Sequence, residues 1–202
     1  MKSRALQNFI LYNRLTGESG TSSYELDLPN GGRSYVIGNV LEQGPRTENS
    51  AIVAYGEEGA LNPNSELYFV NNTVVNNHSK GTFVKVGTGA APALMQNNIF
   101  SGPGILTDQP EARLSHNLTV GALFVDAGNY DYHLKSDSRA RKVGASPGSA
   151  IGYSLQPIYE YVHPSCFAAR QTTATALDAG AFEFRSPKEP AACSKGELPL
   201  IF

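Results

Sequence analysis

The sequence predicts an all-β solenoid, a fold in which short strands wind into stacked coils. Helical signals are scarce, since no run of ten or more residues places apolar side chains at positions i, i+3, i+4 and i+7. Short apolar runs alternate instead with turn residues, among them 20 Gly and 12 Pro. The longer runs resemble one another, each with an Asn near its centre, and such an internal repeat is typical of solenoids.

Nine runs have the composition of β-strands, being rich in Val, Ile, Leu, Phe and Tyr and bounded by Gly, Asn, Pro or Ser. Their lengths are near the roughly 5–6 residues of ordinary strands. They cover residues 8–15, 24–28, 34–41, 51–55, 67–75, 82–86, 93–100, 104–107 and 112–120. Long and short runs alternate, so we expect two or three strands in each coil and no helix.

One Asn recurs in each long run and indicates how the coils stack. The aligned residues are Asn13, Asn39, Asn72, Asn98 and Asn117, with gaps of 26, 33, 26 and 19 residues. Asn tolerates left-handed backbone conformations and hydrogen-bonds to neighbouring backbone groups. Because neighbouring strands lie about 4.8 Å apart, Asn side chains in the same bend can hydrogen-bond from coil to coil. We predict an asparagine ladder with an architectural role, in a stack of about four to five coils.

The chain divides into three parts by pattern. Residues 1–120 carry the coils. Residues 121–184 break the repeat and end on an alternating strand, so we expect them to form an irregular cap over the open end of the stack. Residues 185–202 read as a loose tail. Coil-like sequence begins at residue 8, and an uncovered first coil predicts either further coils upstream in a longer protein or burial of that end in a homo-oligomer.

Composition excludes several functions. The net charge is −2 and the pI is about 6.1, so the chain lacks the basic field of a nucleic-acid-binding protein. No apolar run approaches the roughly 18 residues of a membrane span. Cys166 and Cys193 form no C-x-x-C motif, which argues against a zinc ribbon. In an oxidising compartment the two cysteines can form a disulfide that anchors the tail, and otherwise they stay reduced.

The best candidate site is an acidic pair on one strand. Glu25 and Asp27 alternate with apolar residues, so both carboxylates project from one face about 7 Å apart and can share one Ca²⁺. Arg33 follows the next turn and can reach back toward that face. Glu57 and Glu58 fall about one coil above. The alternative is a solvated strand face whose carboxylates pair with Arg33 or Arg14.

Several segments resemble right-handed parallel β-helix proteins, loosely those of the pectate-lyase-like and alginate- or chondroitin-lyase-like groups. The segments are YELDLPNGGRSYVIGNVL (24–41), LYFVNNTVV (67–75), ALMQNNIF (93–100), LFVDAGNYDYHLKSDSRARKVGASPG (123–148) and DAGAFEF (178–184). The resemblance implies an all-β, right-handed parallel β-helix. It also implies a secreted, periplasmic or cell-surface protein that acts on polysaccharide.

The resemblance further implies a reaction and roles for residues. In such lyases acidic residues hold Ca²⁺, which neutralises a uronate carboxylate, and a basic residue removes the C5 proton before β-elimination. Glu25 and Asp27 would then be metal ligands, Arg33 the base and Tyr55 the proton donor. Tyr24 and Glu57 would contact substrate, and the remaining aromatic candidates for sugar stacking are Tyr12, Tyr35 and Tyr68. The alternative function is a non-catalytic glycan-binding or structural segment of a longer protein.

Overall fold

The computed structural model describes residues 1–172, 176–186 and 193. In this part of the chain the regular structure is short strands and one 3-10 turn at Ala127–Asn129, with no α-helix, so no helix is present that could cross a membrane. In chain order the strands are β1 (Gln7–Leu11), β2 (Arg14–Thr16), β3 (Leu26–Leu28), β4 (Arg33–Ile37), β5 (Val40–Gln43), β6 (Ala51–Tyr55), β7 (Leu67–Val70), β8 (Thr73–Asn76), β9 (Thr82–Val86), β10 (Leu94–Gln96), β11 (Ile99–Ser101), β12 (Ile105–Thr107), β13 (Arg113–Ser115), β14 (Phe124–Asp126), β15 (Asp131–Leu134), β16 (Ser149–Ala150), β17 (Tyr153–Ser154), β18 (Tyr159–Val162) and β19 (Cys166–Ala169).

The first thirteen strands form three parallel sheets that together make a stacked parallel β-helix. The first sheet has the order β1-β4-β7-β10-β13, the second β2-β5-β8-β11 and the third β3-β6-β9-β12. Each strand pairs with the strand one coil later, because each coil crosses all three sheets before it returns. The predicted all-β solenoid of four to five coils is confirmed. Each long run of the sequence is divided by a bend into two strands of different sheets.

In-register pairing places equivalent side chains in rows along the stack. One inner row of the first sheet runs through Ile10, Val36, Phe69 and Met95, each at most 2% exposed. Burial of such rows supplies the hydrophobic stabilisation of the stack. Leu114 continues the row in the last coil, where no strand of the described ranges lies above it, and it is 47% exposed.

The predicted asparagine ladder is confirmed and lies in the bend between the first and second sheets. Asn39 donates hydrogen bonds to Oδ1 of Asn72 from its backbone N at 2.9 Å and from Nδ2 at 3.0 Å. The Nδ2 group also donates to the carbonyl oxygen of Ile10, at 2.7 Å. The same pair of inter-coil bonds joins Asn13 to Asn39, Asn72 to Asn98 and Asn98 to Asn117. Each bend therefore satisfies backbone groups that would otherwise be buried without partners.

An aromatic row covers the outer face of the first sheet. Phe9, Tyr35 and Tyr68 stack along the coils, with ring centroids 5.0 and 5.1 Å apart. Tyr153, from the β16–β17 hairpin, packs against the first two rings. Offset stacking of this kind adds to the area buried. Tyr35 is thereby buried, so it packs the structure and offers no face to a ligand.

We expected residues 121–184 to cap the open end of the stack. Their described part, residues 121–172 and 176–184, lies along its side, and we call it the flanking arm. In the first coil, Ile158 N donates to the Tyr12 hydroxyl at 3.1 Å. In the fourth coil, Gly180 N donates to Asn97 O at 2.7 Å. Gly180 packs so closely against the stack that a Cβ atom at this position would lie 2.6 Å from Thr73 Oγ1. The arm therefore packs against the first and second sheets over most of the height of the stack, and leaves the last coil partly exposed.

A buried ion cluster holds the arm together. The Arg170 side chain is fully buried, and its Nη2 lies 2.9 Å from Glu183 Oε1. Its guanidinium also donates to the carbonyl oxygens of Asp178, Gly180 and Ala181. Burial raises the pKa of the Glu183 carboxyl to about 7, while the Arg170 charge acts in the opposite direction.

Most of the predicted loose tail, residues 185–202, lies outside the described residues. Within it, Arg185 pairs with the buried Glu160 at 2.9 Å. Cys193 forms a disulfide with Cys166 of β19, with Cα atoms 5.8 Å apart. The covalent link therefore attaches this point of the tail to the flanking arm.

Replacing Asn72 with Ala should lower the free energy of unfolding by about 3–5 kcal/mol, because Asn39 N–H and Val36 C=O then lose buried partners. Urea denaturation measures this. The matched control is Asn13→Ala at the half-buried start of the ladder, which should cost about 1 kcal/mol. Equal losses in the two variants would contradict the described role of the ladder.

The raised pKa of Glu183 predicts a pH dependence of stability. The folded chain binds this proton more tightly than an ordinary carboxyl of pKa 4.5 does, so the contribution is fully present below about pH 4.5 and is lost as pH rises through about 7. Urea titrations across this range should show stability falling with pH. Glu183→Gln should flatten the slope, whereas Glu58→Gln, at an exposed carboxylate paired with Arg4, should keep it. An unchanged slope in Glu183→Gln would refute the assignment.

Candidate functional site

The predicted acidic pair is present, but both carboxylates already have partners. Asp27 Oδ2 lies 2.8 Å from Lys2 Nζ. Glu25 is 6% exposed, its Oε1 accepts a hydrogen bond from Ser22 Oγ at 2.9 Å, and burial raises its pKa. A Cβ on Gly17 would come within 2.6 Å of that oxygen, so the carboxylate is enclosed. The partners are thus Lys2 and Ser22 rather than the arginines that the alternative interpretation named.

Arg33 does not join this pair. It lies on β4 of the first sheet, whereas Asp27 lies on β3 of the third. Its Nε donates to Glu66 Oε2 at 2.9 Å, and this hydrogen bond raises the pKa of the guanidinium. Arg33 therefore stabilises the neighbouring coil through Glu66 and stands on a different face from Asp27.

Tyr55 is a core residue. Its side chain is fully buried, its hydroxyl donates to Gly32 O at 2.7 Å, and burial raises the pKa of the phenol. A proton donor must reach its substrate, and this hydroxyl is enclosed between coils. The geometry gives Tyr55 a structural role.

Tyr24 and Glu57 lie near each other around Lys85. Glu57 forms an ion pair with the Lys85 ammonium, and the nearby Tyr24 contributes to raising the Lys85 pKa. Glu58 pairs separately with Arg4 and Lys2 at the first coil. Both residues predicted for substrate contact, Tyr24 and Glu57, are partly exposed.

The acidic strand offers few free oxygen ligands to a calcium ion. Ca²⁺ takes six to eight oxygen ligands, several of them carboxylates. Asp27 is neutralised by Lys2, and Glu25 is enclosed. In the described ranges, no group of three or more His, Cys, Asp or Glu side chains is arranged to hold a metal. We therefore derive no step through calcium.

A cleft between the second sheet and the flanking arm is the strongest candidate site; we call it the flank cleft. Its volume is about 290 Å³, near the lower end of the range for small-ligand sites. Rings and hydrogen-bonding groups dominate its walls. They are Arg14, Val40, Asn129, Tyr130, Asp131, Tyr132, His133, Tyr161, His163 and Phe182.

Tyr130 and Arg14 form one wall of the flank cleft. Tyr130 has a φ of +62°, a left-handed conformation that a bulky side chain rarely adopts and that costs about 1–3 kcal/mol. The guanidinium carbon of Arg14 lies 5.6 Å from the Tyr130 ring centroid. Arg14 also pairs with Glu18 at 2.8 Å. Strain of this kind occurs often at binding sites, where it fixes the direction of a side chain.

His133 is held in one orientation by two neighbours. Its Nδ1 lies 2.6 Å from Asp131 Oδ1, and its ring stacks on Phe182 with centroids 4.1 Å apart. This contact occupies Nδ1 of the ring and leaves Nε2 for other contacts. The imidazole is therefore positioned before any ligand arrives.

Tyr161 and His163 also line the flank cleft. The Tyr161 hydroxyl donates to Pro164 O at 2.7 Å and lies 3.2 Å from His163 Nδ1. The Tyr161 ring is partly exposed and His163 is exposed. This part of the lining combines an aromatic face with polar edge groups.

Sequence reasoning missed this site. The run Asn129 to His133 (NYDYH) places five hydrogen-bonding or aromatic side chains in succession, and that density is the signal the sequence offered. Arg14 and Tyr161 come from distant segments, and only the packing of the flanking arm against the second sheet brings them to the cleft.

No protein-family model, no curated protein and no solved structure matches this chain. The resemblance to pectate-lyase-like proteins is therefore supported only at the level of the stacked parallel architecture.

Tyr55→Phe tests the structural role of Tyr55. The substitution removes one of two side-chain hydrogen bonds to Gly32 C=O, the other being donated by Ser34 Oγ, so the free energy of unfolding should fall by about 1 kcal/mol in urea titrations. Tyr24→Phe is the matched control at a partly exposed ring and should change stability by less than about 0.5 kcal/mol. A Tyr55→Phe protein as stable as the parent would contradict this assignment.

Proposed function

We propose that this chain is a carbohydrate-binding β-helix and that the flank cleft holds a sugar unit of a polysaccharide. This proposal rests on one observation, the combination of aromatic faces and polar groups in a single cleft. Sugars present apolar C–H faces and polar hydroxyl edges. The rings of Tyr130 and Tyr161 can pack against the C–H faces of a sugar. Arg14, Asp131 and His133 can donate hydrogen bonds to its hydroxyl groups or accept them.

The order of the cleft before binding supports the proposal. Asp131 and Phe182 hold His133, and Pro164 holds the Tyr161 hydroxyl. Side chains fixed in advance lose less conformational entropy when a ligand binds. A weakly hydrophobic ligand such as a sugar benefits from this, because each contact contributes little on its own.

Cleavage of uronate polysaccharide by calcium-assisted β-elimination is the narrower prediction. Its expected residues lie apart, with Arg33 paired to Glu66 and Tyr55 enclosed in the core. We therefore place binding, rather than cleavage, as the proposed function. Calcium dependence stays a prediction.

Localisation outside the cytoplasm is part of the proposal. The disulfide between Cys166 and Cys193 supports it, because such bonds persist in the periplasm and in secreted proteins and are rare in reducing compartments. A polysaccharide ligand is found in the same surroundings.

Affinity electrophoresis against neutral and uronate-containing polysaccharides tests the cleft. Tyr130→Asn keeps a residue that tolerates left-handed backbone and removes the ring, so the retarding polysaccharide should bind about ten-fold more weakly. Tyr24→Asn, at a partly exposed ring outside the cleft, is the matched control and should bind like the parent.

Two results would contradict the cleft proposal. One is a parent chain that no polysaccharide retards. The other is binding lost in Tyr24→Asn or Asp27→Asn but kept in Tyr130→Asn, which would assign the ligand to the predicted acidic strand. Cleavage needs a separate assay. The chain is incubated with uronate-containing polysaccharide, with calcium or with a chelator, and the release of unsaturated uronate products is measured.

A further inference from the structure

The two ends of the stack present complementary edges. At the first coil the outermost strands are β1 in the first sheet and β2 in the second, and Lys2 forms the outermost bridge of the third sheet. At the last coil they are β12 in the third sheet and β13 in the first, with Leu118 bridged to Ile99 in the second. Within the described ranges, no strand pairs with the outer side of β1 or β13. If the first coil of a second molecule followed the last coil of this one, each sheet would continue into the same sheet of the second molecule.

Hydrogen-bonding direction matches across these edges. Arg113 N donates to Ala93 O, and Ser115 O accepts from Asn97 N. The backbone groups of Arg113 and Ser115 therefore point toward the preceding coil. Direction alternates along a strand, so Leu114 presents its backbone groups outward. On β1, Leu6 O and Tyr12 N bond to the next coil, and by the same alternation Phe9 and Leu11 face outward.

Side-chain rows match in the same register. The inner row that begins with Ile10 ends with Leu114, so a second copy in that register would set its Ile10 on Leu114 and bury it. The neighbouring outer row begins with Phe9 and ends with Arg113, which places a guanidinium over a ring. Phe9 is 46% exposed and Leu114 47%, so both ends carry apolar surface that this contact would cover.

The asparagine ladder has a direction, and its ends complement each other. Each ladder Asn donates from its backbone N to Oδ1 of the Asn in the following coil. Asn117 is the last to accept such a bond, so its own backbone N is the donor that would extend the ladder, and Asn13 Oδ1 is the acceptor that begins it. Stacking one copy on another would continue the ladder from Asn117 to the second copy's Asn13.

Charge also matches. Along the third sheet one row runs Lys2, Asp27, Ala54 and Lys85, with Lys2 bound to Asp27 at 2.8 Å. Thr107 pairs with Val84, so the next residue, Asp108, takes the position of this row beside Lys85. A second copy added above would bring its Lys2 next to the exposed Asp108, so unlike charges would meet.

We propose that the last coil of one molecule stacks on the first coil of a second copy, head to tail, and continues the three sheets across the contact. The partner is another molecule of this chain. Because the two surfaces differ, the contact is heterologous, and it produces open chains of molecules rather than closed dimers.

Sedimentation of the full chain over a range of concentrations tests this, with two variants that block one end each. Leu6→Asp places a charge beside β1, where Leu6 is 63% exposed, and Leu114→Asp places one on β13. The parent should form species larger than dimers as concentration rises. Each variant alone should stay monomeric. A 1:1 mixture should form dimers and stop there, because one intact last coil meets one intact first coil.

The control and the contrary outcomes are distinct. Ile151→Asp, 61% exposed on the β16–β17 turn of the flanking arm, should associate like the parent. Circular dichroism confirms that each variant folds. A parent that stays monomeric at every concentration, or a mixture that stays monomeric, overturns the proposal. Leu6→Asp alone forming dimers also overturns it, since last coils would then pair with each other.

Discussion

The asparagine ladder is the constraint on which the rest of the structure depends. A bend between two sheets removes backbone groups from the ladders of both, and in a solenoid that bend repeats in the interior of every coil. Asn72 serves two coils at once, since its Oδ1 accepts from Asn39 and its Nδ2 donates to Val36 O. The ladder therefore fixes the register between coils, and the inner rows of Val, Ile, Leu and Phe follow from that register.

The repeated part of the fold was accessible from sequence because its causes are local. An Asn between two apolar runs marks a bend wherever it recurs, and spacing near 26 residues gives the length of a coil. The candidate site was not accessible in this way. Glu25 and Asp27 share a strand face, as period two requires, but the sequence does not show that Ser22 and Lys2 occupy their carboxylates. Partners from outside the strand, such as Lys2 and Ser22, decide whether a charged residue is free.

The position of the flanking arm was not accessible from sequence, and this explains why the cleft was missed. An irregular segment after the coils suggests an end cap, because open ends expose apolar core. The side of this stack, however, also carries apolar residues, including Ile37, Val40 and Val75, and these bury against the arm. The flank cleft exists only because the arm returns to the second sheet.

The flanking arm changes how such a short stack is stabilised. In an extended solenoid each coil contacts only its neighbours, and stability is close to a sum of coil and interface contributions. Four or five coils supply few interfaces. Here Ile158 bonds to Tyr12 in the first coil, while Asn97 in the fourth bonds to Ala145 O and Gly180 N. Contacts of this range connect coils that do not touch each other. We therefore expect the stack and the arm to unfold together, with the cleft at their junction.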